Sequence, residues 1–108
     1  MSYILAFDVG TTAVKANLVH YETKQMHSAG APCDLDQPHP GWAEQDAEQM
    51  WDAVCRASRS CVAAAGIDPS RIIGMVISAP WKHVIALDEN FRPLRKSIIW
   101  MDGRSITQ

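Results

Sequence analysis

The chain has 108 residues, of which 47% are hydrophobic and 20% charged, with a formal net charge of −2. This is a globular composition, neither disordered nor a polyelectrolyte, and it offers no basic field for a nucleic acid or a membrane surface. No apolar run approaches the roughly 18 residues of a transmembrane helix, and the N-terminus reaches Asp8 after a short apolar stretch with no basic region before it, so it does not read as a signal peptide.

Residues 3–7 are apolar and open a strand over 3–9; a second strand over 13–20 alternates, with Ala13, Lys15, Asn17 and Val19 on one face and Val14, Ala16, Leu18 and His20 on the other. Between them stands Asp8-Val9-Gly10-Thr11-Thr12, with Lys15 just beyond, which reads as a phosphate-binding hairpin. Gly10 is expected to turn the chain at positive φ and bring the backbone close to a ligand. Thr11 and Thr12 offer hydroxyls and N–H groups, and Asp8 offers a carboxylate suited to a hydrated magnesium ion. Lys15 reads equally as a phosphate contact or as a solvated edge lysine. The segment is not a P-loop, which needs a second glycine before a Lys-Ser/Thr pair, and not the Gly-x-Gly-x-x-Gly turn that leads into a helix.

A third strand is expected over 25–33, giving an antiparallel meander, and residues 35–41, with Pro38 and Pro40, must be looped or extended. Asp46 followed by Gln49 resembles a capping box, after which Met50, Val54, Ala57, Cys61 and Ala65 recur at helical spacing until Gly66 and Pro69 stop the helix. The apolar run 72–77 reads as a strand buried on both faces. Residues 84–87 read as a further strand closed by Asp88-Glu89-Asn90, and 92–100 as a segment returning to the sheet. Residues 105–108 look like the start of a helix with nothing to close it, which suggests a truncated protein. The order β-β-β-α-β, with an acidic turn between the first two strands, predicts a partial α/β domain with a mixed sheet, of the ribonuclease-H-like or actin-like ATPase type.

The odd number of cysteines, Cys33, Cys55 and Cys61, with no Cys-x-x-Cys pair, reads as reduced core thiols of a cytoplasmic protein. Four scattered histidines argue against a structural metal site, and His83 reads as structural or solvated. Trp42 and Trp51 read as packing residues, and Trp100 equally as a core cover or a sugar platform. Glu44 and Asp46, at a helix start, are explained by capping and the helix dipole. Arg104 pairs with a local carboxylate or meets a substrate.

Three motifs then coincide in order: Asp8-Val9-Gly10-Thr11-Thr12, Gly41-Trp42-Ala43-Glu44-Gln45-Asp46 and Ile98-Ile99-Trp100-Met101-Asp102-Gly103-Arg104. Across essentially the whole chain they resemble the N-terminal part of the FGGY carbohydrate kinases, most closely the xylulokinase-like branch. The resemblance implies two actin-like domains with the active site in the cleft between them, residues 1–108 being an incomplete first domain with the C-terminal domain absent. It implies ATP-dependent phosphorylation of a hydroxyl of a small sugar or polyol, with ATP and Mg²⁺ as cofactors and a homodimer left open. On this pattern Asp8, Gly10, Thr11 and Thr12 face the nucleotide phosphates, Asp8 also the metal, with Lys15 joined to them by the alternation of its strand, while Trp81, Lys82, Trp100, Asp102 and Arg104 meet the sugar. The family's catalytic Asp would lie beyond Gln108, so the 108-residue chain alone is expected to be inactive.

One departure bears on specificity. Where xylulokinases read Ser-Gly-Gln-Met-His-Gly, this chain has Ser78-Ala79-Pro80-Trp81-Lys82-His83, which replaces the substrate histidine by Lys82. An ammonium only donates where an imidazole also accepts, pointing away from xylulose and toward a substrate with a carboxylate or another acceptor oxygen there. A second class also fits the same hairpin: a regulator of the actin-like superfamily that binds sugar or nucleotide without catalysis. A ribonuclease-H-like nuclease fits less well, because it needs several carboxylates converging on two metals, and apart from Asp8 no acid falls on a buried strand.

Overall fold

The structure, a computed structural model, describes residues 1–106. Strands β1 (Tyr3–Val9) and β2 (Ala13–His20) form a hairpin that sets Asp8 opposite Lys15, and β3 (Met26–Pro32) continues the antiparallel meander within a residue of its expected bounds. After the helix α1 (Ala47–Ala65), strand β5 (Ile72–Ser78) pairs parallel to the free side of β1, for a sheet order β3-β2-β1-β5.

The alternation decides which face is buried. Leu5 and Leu18, Phe7 and Ala16, and Val14 and Ala31 are cross-strand neighbours on one face and form the core with α1, while Lys15 and Asp8 stand on the other. From α1, Ala53, Ala57 and Cys61 recur every fourth residue, so the helix buries a stripe of small side chains and lies close on β2 and β3. The Cys61 thiol donates to the His27 carbonyl at 2.9 Å.

The helix ends follow local chemistry. The Asp46 carboxylate accepts from the Glu48 and Gln49 N–H groups, and Gly66, at φ 65°, closes the last turn. The capping box is only half made, however. The Gln49 amide turns away from Asp46 to bridge Asp34, donating to its carboxylate at 2.9 Å and accepting from its N–H at 3.1 Å.

Four further expectations are corrected. Strand β5 is not buried: Met75, Val76 and Ile77 are each more than 60% exposed, because β5 is an edge strand and α1 packs on β2 and β3 instead. Between α1 and β5 runs an apolar groove of about 360 Å³, lined by Phe7, Trp51, Val54, Cys55, Met75 and Ile77. Trp51 lines this groove half-open to solvent and is not a packing residue. Residues 84–87 form no strand, since Val84 and Leu87 make only isolated bridges to Ile98 and Pro93. The segment 92–100 does not return to the main sheet; its Ser97–Ile98 (β6) pairs with Glu44–Gln45 (β4) in a separate two-stranded ladder. Residues 104–106 make a turn, with the Ile106 N–H on the Gly103 carbonyl, and the rest of the expected helix start lies outside the described residues.

Burial pushes the Cys33 and Cys61 thiols above their ordinary value, so both stay protonated at neutral pH. Brief iodoacetamide treatment of the native chain should therefore alkylate the half-buried Cys55 first, with Cys33 and Cys61 reacting only after denaturation. Peptide mass spectrometry reads this, and equal labelling of all three would contradict the core assignment.

Candidate functional site

Because β1 and β5 run parallel, their C-terminal ends leave the sheet on the same edge, where open α/β sheets place ligands. Asp8 is the last-but-one residue of β1 and lies between Lys15 of β2 and Ser78 of β5 in the strand registers. Residues in register share a face of the sheet. Asp8 and Lys15 are exposed, and neither joins a salt bridge among the described residues.

The hairpin turn is held from inside. The Gly10 N–H donates to the Ala13 carbonyl at 2.9 Å, and the Cys33 N–H to the Thr12 carbonyl at 2.8 Å. The amide of the buried Gln45 donates to the Thr11 carbonyl. These carbonyls are occupied by protein donors, and the Thr11 and Thr12 hydroxyls make no hydrogen bond to protein among the described residues. Gly10 is required for a reason other than the one expected. Its φ is not positive, but an added Cβ would stand 2.9 Å from the Ala13 carbonyl oxygen, closer than real Cβ atoms come.

A second cluster ties the two later motifs together. The Asp102 side chain is 2% exposed, and both of its oxygens are engaged. Oδ2 accepts from the Ala43 N–H and from Arg104 Nη2, both at 2.6 Å; Oδ1 accepts from the Arg104 N–H at 2.9 Å and from Nε at 2.8 Å. Arg104 Nη2 also reaches Glu44 at 2.9 Å, its guanidinium carbon lies 3.9 Å from the Trp42 ring centre, and the Gly103 N–H donates to the Gly41 carbonyl at 2.7 Å. Glu44 is thus not a helix-start carboxylate. It is buried in β4 and pairs with Arg104 and Arg95. The Arg104 hydrogen bonds hold the Asp102 carboxyl well below the usual carboxylate range, and Asp102 in turn raises Arg104. A depressed carboxyl contributes stability that is present above about pH 4 and lost as pH falls toward its folded value, so the clasp is fully charged at neutral pH.

The residues expected to meet the sugar therefore divide. Trp81 is 70% and Trp100 53% exposed, and Lys82 is open, with its ammonium 4.3 Å from the Trp81 ring centre. Asp102 and Arg104 instead face each other, Glu44 and Trp42. Gln45, which supports the hairpin from inside, was not singled out by sequence reasoning; its only signal was its place in the motif beginning at Gly41. Among the described residues no group of three or more His, Cys, Asp or Glu side chains converges on a metal position. The donor set at the hairpin is a single open carboxylate, which fits a hard, oxygen-liganded cation such as magnesium and does not fit an all-protein metal cage.

A family model described as "FGGY family of carbohydrate kinases, N-terminal domain" matches residues 3–108. A glycerol kinase of Citrifermentans bemidjiense is 33% identical over 106 residues, covering 97% of this chain and 21% of that protein. An L-xylulose/3-keto-L-gulonate kinase of Escherichia coli is 32% identical over 104 residues, 96% of this chain and 21% of that protein. Among solved structures, a "xyloylose kinase" of Brucella ovis superposes with a TM-score of 0.88 at 35% identity, over 94% of this chain and 22% of that one. The chain thus spans about a fifth of the length of these relatives.

Proposed function

Because this chain belongs to the FGGY family of carbohydrate kinases through that family's N-terminal domain, whose actin-like ATPase fold its mixed sheet and helix α1 reproduce, we propose that the full-length protein phosphorylates a hydroxyl of a small sugar or polyol with ATP. The observation that carries this reading is the hairpin of β1 and β2. It presents a carboxylate and two hydroxyls that have no partner among the described residues, and a lysine, at the C-terminal edge of the sheet, with its own carbonyls tied inward.

In this reaction the bond between the γ-phosphorus and the bridging oxygen of ATP breaks, a new P–O bond forms to the acceptor hydroxyl, and ADP leaves. Positioning and charge stabilisation supply most of the catalysis. Thr11 and Thr12, through their hydroxyls and N–H groups, bind and orient the phosphates, Lys15 adds positive charge on the same face, and Asp8 is the residue that would hold Mg²⁺. Bound Mg²⁺ would supply neutralisation of the phosphate charge. Trp81, Lys82 and Trp100 form the open part of the sugar wall, while Asp102 and Arg104 hold that wall in place by clasping residues 41–45 to residues 99–104.

Residues 1–108 form the opening part of the first of two domains in this proposal, and the proton of the acceptor hydroxyl goes to an Asp in the remainder of the protein. The three free cysteines support a cytoplasmic setting. The relatives' names run from a glycerol kinase to an L-xylulose/3-keto-L-gulonate kinase, which supports the reaction class and leaves the acceptor to this chain's own residues.

Calorimetry on the full-length protein tests the division of the site, with ATP–Mg²⁺ and an accepted sugar titrated separately. Asp102→Ala should weaken sugar affinity about tenfold, because the wall loses its clasp and leaves hydrogen bonds unmade, and should leave ATP affinity unchanged. Loss of ATP affinity with sugar affinity retained would reverse the two halves of the site.

A further inference from the structure

The loop after β5 holds a strained backbone position that no local turn explains. Among the described residues three other than glycine have positive φ: Lys24 at 63°, Lys82 at 59° and Phe91 at 60°. Lys24 and Phe91 sit in closed turns, each with its N–H on the carbonyl of a residue three or four positions back, His20 and Asp88 respectively. Residues 79–83 make no such backbone hydrogen bond among the described residues. A long side chain in the left-handed region costs conformational energy and persists only where the surroundings hold it, and such positions cluster at active sites and ligand clamps.

This position carries one charged group. The Lys82 ammonium lies 4.3 Å from the Trp81 ring centre, while Trp81 is 70% exposed. The ring restrains the ammonium through a cation–π contact and otherwise stays open as a flat apolar surface. Next to it, His83 has a buried Nε2 without a partner among the described residues, and burial lowers its pKa, so it remains neutral at pH 7. Residues 79–83 therefore present a single positive charge, that of Lys82, beside an open indole. They stand at the same sheet edge as the hairpin, with β1 alone between β5 and the Lys15 of β2.

An indole face suits the C–H surface of a sugar, and a restrained ammonium with three donors and no acceptor suits an anionic oxygen. Building on the kinase reading above, we infer that Lys82 is a specificity-determining residue whose ammonium takes the carboxylate of a sugar acid, so that the phosphorylated acceptor is an aldonic or keto-aldonic acid. The nucleotide phosphates are the other anions within the same cleft. Lys15, on the hairpin with Asp8, already serves them, whereas Lys82 is carried by a different strand and is paired with an aromatic surface that a phosphate does not need.

Initial rates of ADP release from the full-length protein test this with matched pairs such as gluconate and glucitol at saturating ATP. The parent should prefer the acid. Lys82→Gln should reduce the ratio of kcat/KM for acid over neutral acceptor by about 10- to 100-fold, the loss expected for a charge-assisted hydrogen bond, with the KM for ATP held within about twofold. Lys82→Gly relieves the backbone strain, so it reads the same ratio if the glutamine variant fails to fold. A parent that prefers the neutral partner, an unmoved ratio in both variants, or a rise in the ATP KM in place of the ratio change each overturns the inference while the kinase reading stands. Failure of the parent to phosphorylate any acceptor, acidic or neutral, overturns the kinase reading and the inference with it.

Discussion

Asp8→Asn in the full-length protein is expected to lower kcat by roughly 100-fold or more while changing the sugar KM by less than about threefold. The asymmetry follows from where Asp8 stands. It is exposed at the end of β1 and pairs with no cation among the described residues, so its charge is unspent in the protein alone. Asparagine keeps the size and the hairpin and removes only that charge. An interaction strengthened as charge moves during phosphoryl transfer acts on kcat, whereas a contact made equally with bound substrate acts on KM. Steady-state kinetics at saturating ATP and Mg²⁺ read the difference, and equal kcat in parent and variant would remove Asp8 from the phosphate side.

Gly10→Ala should be almost as damaging by a purely steric route. Its Cβ would lie 2.9 Å from the Ala13 carbonyl oxygen, which is backbone and which accepts the hydrogen bond closing the turn. Neither partner can give way without opening the hairpin, and misplacement of a phosphate cradle by about 1 Å costs on the order of 100-fold. The expected result is a fall of that size in kcat/KM for ATP, with sugar affinity retained. Gly30→Ala is the matched control. Its Cβ would meet the Val14 carbonyl oxygen at 3.5 Å, an ordinary contact, and should leave the kinetics near the parent's. Comparable losses in both variants would show that general destabilisation, not the hairpin, governs the effect.

The meander and the helix were legible in the sequence because their signals are local: alternation over 13–20, the spacing of Ala57, Cys61 and Ala65, an aspartate at one helix end and a glycine at the other. Strand β5 was located correctly, but its burial was not legible. An apolar run records which surface is suited to be covered, and the described residues place nothing over Met75, Val76 and Ile77.

The short ladder of β4 and β6 escaped notice because two residues carry no period, and the partners Glu44 and Ile98 are more than fifty residues apart in sequence. Distance along the chain also hid the clasp. Composition marks Asp102 and Arg104 as polar residues near a tryptophan, which reads equally as a sugar site or as an ion pair. Only the fold brings the Ala43 N–H and Glu44 onto them and uses up their hydrogen-bonding capacity. Gln45 has the same history: its amide supports Thr11 across 34 positions of sequence.

The central claim is that this chain supplies the phosphate hairpin and part of the acceptor wall of a kinase, and acceptor-dependent ADP release by the purified full-length protein tests it most directly. The assay uses ATP, Mg²⁺ and a panel of polyols, ketoses and sugar acids, with the isolated 108-residue chain run in parallel. ADP release that requires one class of acceptor, falls by roughly 100-fold or more with Asp8→Asn and is absent from the isolated chain is the expected result. Tight binding of sugar or nucleotide by the full-length protein with no acceptor-dependent ADP release would contradict it and identify a regulator that keeps the fold and has lost the chemistry.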